Sequence, residues 1–155
     1  MTNYSPRQQL STLKIIHFGL LAFPVFATIF FLFNNESSSE KVENELEVLQ
    51  FIPTIFLLLV FFISGKLFNT TYKNSIGPNP SLQKKMSAFS SAHIVQMALY
   101  EGVGLFAVVV SFITGSIYNI GLVALIFLIF LSKTPSIVKL EDKLNLTPEE
   151  REQFN

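Results

Sequence analysis

Residues 93–115 read HIVQMALYEGVGLFAVVVSFITG. The run is apolar and long enough to cross a bilayer, for which a helix needs about 20 residues. It holds the only carboxylate of the chain that lies inside such a run, Glu101. An ionisable group at the centre of a spanning helix costs roughly 2.5–3.5 kcal/mol on insertion scales. Whatever offsets that cost at Glu101 is the central functional question.

Working outward, the 155 residues are 50% hydrophobic, and the hydrophobic residues are gathered into four runs. Their lengths predict an all-α integral membrane protein, a four-helix bundle in a single membrane domain over residues 1–155. The spans fall at about 13–33, 51–68, 93–113 and 117–132, followed by a cytoplasmic tail over 133–155. The lipid bilayer is the first expected partner. Arg7 and Lys14 before the first run give it the look of a signal peptide. It is longer than an ordinary h-region and no small-x-small cleavage pattern follows, so it reads as a retained anchor. The net charge is zero, which gives no electrostatic footprint for nucleic acid. The absence of cysteine excludes disulfides, thiol nucleophiles and thiolate metal sites.

Local signals punctuate the runs. Pro24 lies at the middle of the first, where it removes a helical hydrogen bond and clashes with the carbonyl of Leu20, so a kink is expected. The loop after Asn34 is acidic, with Glu36, Glu40, Glu43, Glu45 and Glu47, and Ser37 with Glu40 has capping-box form ahead of a short helix. Pro53 falls near the start of the second span. Gly77-Pro78-Asn79-Pro80 is a turn cluster. Leu82, Met86 and Phe89 then recur at helical spacing opposite Lys84 and Lys85, an amphipathic lead-in at the membrane surface. If continuous with the third span, that helix would be about 50 Å long and would bend near Ser90-Ser91 or project. Thr134-Pro135 stops the fourth span, Ile137, Leu140 and Leu144 form an apolar stripe, and Thr147-Pro148-Glu149-Glu150 has the form of a helix start.

Lysine and arginine set the orientation. Arg7, Lys14, Lys66, Lys73, Lys84, Lys85, Lys133, Lys139, Lys143 and Arg151 fall on one side and Lys41 alone on the other, a split of ten to one. Both termini are therefore expected in the cytoplasm of a multi-pass protein of the cell inner membrane. Spans one and three run the same way and each begins near a histidine, His17 or His93. With Phe26-Ala27 matching Phe106-Ala107, two hairpins related in parallel are an option.

Glu101 carries the candidate chemistry. With no Lys or Arg in the core of any span, it is expected as a protonated acid. As a static group it would hydrogen-bond the turn near Leu20, or Thr28 or Thr54; as a functional one it would load and release a proton. His93, Met97, Tyr100, Glu101, Gly104 and Val108 share one broad helical face. His93, Tyr100 and Glu101 are thus the proton-binding candidates, His93 two turns towards the cytoplasm. No metal site is expected, because the histidines are shallow and Glu101 deep. Ala98 and Gly102 form a small-xxx-small pair and Gly104 adds a second notch, which is the signature of close helix packing, within the chain or between copies.

From Glu101 to Ser111, EGVGLFAVVVS resembles the carboxylate helix of the proteolipid c subunit of rotary ATPases. That helix has an acid, then a small residue, an aliphatic, an aromatic and a small residue, and Gly104, Leu105, Phe106 and Ala107 follow the same order. The resemblance implies Glu101 as a proton carrier.

Two functional readings follow. The first is a non-enzymatic inner-membrane protein that packs or assembles with copies of itself or with other membrane proteins. The alternative is a proton- or ion-handling protein that uses Glu101. No nucleophile–base–orienter set, phosphate loop or metal cluster points to an enzyme, and no cofactor is expected.

Overall fold

The computed structural model describes residues 5–34 and 48–154, and it is helical throughout, with no strand among the described residues. Helix α1 spans Pro6–Asn34. A short 3-10 turn, Val48–Phe51, leads into α2, Ile52–Ile76. Helix α3 spans Leu82–Thr114 and α4 spans Tyr118–Lys133. Two short helices follow, α5 at Ile137–Leu144 and α6 at Pro148–Glu152. Helices α1, α2 and α3 are each long and apolar enough to cross a membrane, and α4 with α5 makes a fourth candidate if that pair, bent by 73°, counts as one span. The acidic residues Glu36 to Glu47 and the capping-box form at Ser37 lie outside the described residues.

The helix ends follow their local chemistry. Ser81 caps α3 by accepting from the Lys84 N–H, so the lead-in and the third span are one unbroken helix. The connection before it shrinks to the turn at Gly77 and Asn79, both at positive φ (63° and 45°). Helix α3 stops at Gly115, whose φ of 63° places it in the left-handed region that glycine enters without a Cβ penalty. Thr147 and Glu150 form a reciprocal capping box at α6. The assigned helix runs through Pro24 in α1 and through Ser90-Ser91 in α3 without a break.

Helix α3 is the axis of the packing. It lies against α1, α2 and α4, and α4 in turn touches α1 and α2. Along the middle, Met97, Tyr100 and Val103 of α3 meet Leu21, Leu57, Ile126 and Phe130. Toward the Thr114 end, Ala107 and Val108 meet Phe31 and Val123. At the other end, Leu140, Leu144, Leu146 and Phe154 fold back onto Leu10, Leu13, Met86, Phe89 and Ala92. The segment expected as a tail is thus docked from α5 onward. Lys85 fastens it through a two-pronged ion pair with Glu150, at 2.8 and 2.9 Å.

Candidate functional site

Three features of α3 answer to the residues singled out above. The first is the close approach at Gly104. A Cβ built there would lie 3.1 Å from Pro24 Cβ and 3.6 Å from Ile126 Cδ1. Pro24 is buried in α1 and its ring fills the notch that Gly104 leaves. One turn on, the Thr28 hydroxyl donates to the Pro24 carbonyl at 2.7 Å.

The second feature is an open lane. Ser91, Val95, Ala98, Gly102 and Val109 are exposed in succession at helical spacing. Among the described residues nothing lies within 4 Å of a Cβ built at Gly102, the helix's own nearby backbone aside. Of the two glycines in the small-residue set, only Gly104 is in close contact with another helix. Phe56 and Val60 of α2 form one wall of an apolar groove of about 430 Å³, with Ala98, Leu99, Gly102 and Phe106 beneath.

Glu101 stands beside this lane, partly exposed. Each partner considered for a static, buried acid is engaged or distant. Thr28 bonds Pro24, and Thr54 pairs with the Tyr118 hydroxyl at 3.4 Å. No hydrogen bond or ion pair holds Glu101 among the described residues. Among the described residues, then, nothing supplies the hydrogen bond expected of a static acid at Glu101.

The third feature is a polar ladder that joins the two histidines. His93 Nε2 lies 3.1 Å from His17 Nδ1, and His17 Nε2 lies 3.1 Å from the Phe130 carbonyl oxygen. A carbonyl only accepts, so His17 donates from Nε2, and as a neutral ring it accepts at Nδ1. His93 therefore donates from Nε2, and one proton serves each link with both rings neutral. Both residues are buried between helices, at 1% and 4% exposure. The His93 ring stacks on Phe89 with centroids 5.8 Å apart. Tyr100 is turned away from this ladder; its hydroxyl pairs with Ser64 Oγ of α2 at 2.9 Å. Among the described residues no hydrogen bond links Glu101 to His93 or Tyr100, and no group of three His, Asp or Glu that would hold a metal ion forms.

Two polar residues that the sequence reading passed over are also buried. Asn119, at 0% exposure, finds no partner for either side-chain polar atom among the described residues. Gln96, at 7%, lies three residues beyond His93 on the same side of α3. The signal for the histidine contact was present: the two lie at similar depths in the two spans that run the same way. Compared with protein-family models, curated proteins and solved structures, the chain matches none.

Proposed function

We propose that this is a non-enzymatic multi-pass protein of the cell inner membrane that assembles with other membrane-spanning polypeptides through the open lane of α3. The whole forms a four-helix membrane bundle with both termini in the cytoplasm, as the lysine and arginine distribution argues. The outward faces of α1 and α2 support membrane insertion, since they expose large side chains such as Phe23, Phe26, Phe61 and Phe62.

The observation that carries the assembly reading is the pairing of Ala98 and Gly102, open to the outside, with an unpartnered carboxylate beside them. In hydrocarbon, helices associate by backbone approach at small residues and by hydrogen bonds between helices. A docking helix gains the first along Ala98 and Gly102, and a donor or acceptor on it gives Glu101 the partner that the described residues do not provide. The test is the Gly102→Leu variant in mild detergent and in nanodiscs. It is expected to fold as the wild type does and to lose the wild-type assembly in cross-linking and sizing experiments. A wild type that remains monomeric with no bound polypeptide, or a Gly102→Leu variant that assembles normally, refutes the reading.

The same unpartnered Glu101 favours a second reading, proton handling, in line with the resemblance to the c subunit. Glu101→Gln separates the two. An amide keeps a donor and an acceptor, so assembly survives the change, whereas a carrier loses its proton exchange while the protein stays folded.

A further inference from the structure

A second site, independent of the α3 lane, lies at the opposite flank, where α2, α3, α4 and α5 converge. An open cavity of about 250 Å³ is lined there by Lys133, Lys139, Lys143, His93, Gln96 and Asn69, with Phe68 and Phe89 on its walls. Three of the lining residues are cationic and none is a carboxylate. Glu141, the nearest acid in sequence to Lys139, is turned instead toward Arg151, at 3.9 Å.

Each lysine is placed by a definite contact or a chain position. Lys139 donates to the carbonyls of Ser132 and Thr134 at 2.6 and 3.0 Å, which closes the end of α4 and leaves one ammonium hydrogen uncommitted. Lys143 follows one turn later and holds its ammonium 5.7 Å from the centre of the Phe68 ring. Lys133 is the last residue of α4, where carbonyls of the helix end also favour a cation.

The buried wall supplies the second argument. Gln96 is 7% exposed, lines the cavity and has no hydrogen-bond partner among the described residues. Its amide opens onto the cavity, where it has N–H donors to offer a ligand. His93 beside it has its Nε2 committed to His17. The cavity therefore combines like charges that repel one another with a donor that nothing within the described chain engages. A compact, multiply charged oxyanion resolves both. Lysine ammonium groups act on phosphate as point charges, and the Gln96 amide offers a directed N–H.

We infer that this cavity binds a phosphate group, held by Lys133, Lys143, the free hydrogen of Lys139 and the Gln96 amide. The group is carried either on an anionic lipid head at the membrane edge or on a soluble phosphate compound. The lipid source rests on the membrane reading above, and the soluble one does not.

The full-length protein is titrated with inorganic phosphate by calorimetry in zwitterionic detergent. It is also reconstituted in nanodiscs of phosphatidylcholine with and without phosphatidic acid, and retained lipid is read by native mass spectrometry. Binding of phosphate identifies a soluble source, and retention of phosphatidic acid alone identifies the lipid head. The paired substitution Lys133→Gln with Lys143→Gln is expected to weaken whichever binding is found roughly tenfold or more, since two charge-assisted contacts are lost. Lys139 is left in place because it closes α4. Gln96→Leu removes the amide and adds no charge, so it is expected to fold, with circular dichroism unchanged, and to weaken binding as well. If the paired variant does not fold, Gln96→Leu alone decides. Lys73→Gln, an exposed site outside the cavity, is expected to leave binding unchanged. Absence of binding to both probes, full affinity in Gln96→Leu, or an equal loss in Lys73→Gln overturns the inference.

Discussion

Gly102 and Gly104 are two residues apart on one helix, and the structure assigns them opposite tolerances. At Gly104 a Cβ would sit 3.1 Å from the Pro24 Cβ, and carbon atoms at ease are about 3.5–4.0 Å apart. Pro24 is a ring set in a helix and has no rotamer by which to withdraw. Leucine at Gly104 thus has to push α1 away from α3 along their shared seam. Overpacking of this kind costs about 1–3 kcal/mol. That corresponds to a roughly 5- to 150-fold fall in the ratio of folded to unfolded protein. At Gly102 nothing among the described residues lies within 4 Å of a built Cβ, so leucine there points into the open groove beside Phe56 and Val60 and displaces no helix. Replacing a helical glycine with alanine stabilises by up to about 1 kcal/mol, and this gain is expected in full at Gly102 and largely cancelled at Gly104. The assay is reversible unfolding in mixed micelles, with helicity followed by circular dichroism at a concentration where the protein is monomeric. Wild-type stability in Gly104→Leu, or an equal loss in Gly102→Leu, would refute the assignment of inner and outer faces on α3.

Other outcomes follow from single contacts. His17→Leu strands the Phe130 carbonyl and the His93 N–H and is expected to cost about 2–4 kcal/mol in the same unfolding assay, while adding His93→Leu costs little more, because both partners of that link are then gone. Burial alone would raise the Glu150 carboxyl, but hydrogen bonds from Lys85 and from the Thr147 N–H hold it below its ordinary range. A carboxyl lowered in the folded state contributes stability above its unfolded value and loses it as pH falls through its folded one. Hydrogen-exchange protection factors over residues 137–154 should therefore fall under acid, and Lys85→Ala, at a cost of about 1 kcal/mol or less, should reduce that pH dependence to the part owed to the Thr147 N–H. Reporters active only in the cytoplasm should work when fused within residues 74–80 and fail within 36–43, and the reverse pattern would sink the orientation.

Much of the helical scaffold was legible because its punctuation is local. Gly77-Pro78-Asn79-Pro80, Thr134-Pro135 and Thr147-Pro148 act on the backbone within a turn of themselves, so they read the same in sequence and in the fold. The faces of α3 were not legible. A helix that is apolar on every side gives no contrast between lipid and protein, so Ala98, Gly102 and Gly104 look equivalent until Pro24 is placed opposite one of them. The histidine ladder was hidden for a related reason. His17 and His93 each resemble a surface residue alone, and only the register of α1 against α3 and α4 brings their nitrogens together with the Phe130 carbonyl. Likewise the stripe of Leu140 and Leu144 advertises an apolar face without naming the surface it covers.

Helix α3, at 33 residues, is about 50 Å long, some 20 Å more than the hydrocarbon layer it is read as crossing. On the proposed insertion the surplus is a post beyond the hydrocarbon, yet Met86, Phe89 and Ala92 on it are apolar and buried. The returning segment from Leu140 to Phe154 wraps that post. The protein thereby carries its own strip of non-aqueous solvent past the edge of the bilayer. The thickness of membrane that α3 can accept is then set by how far this sheath reaches, and loosening the sheath would let the helix slide deeper or leave a greasy stalk exposed to neighbouring chains.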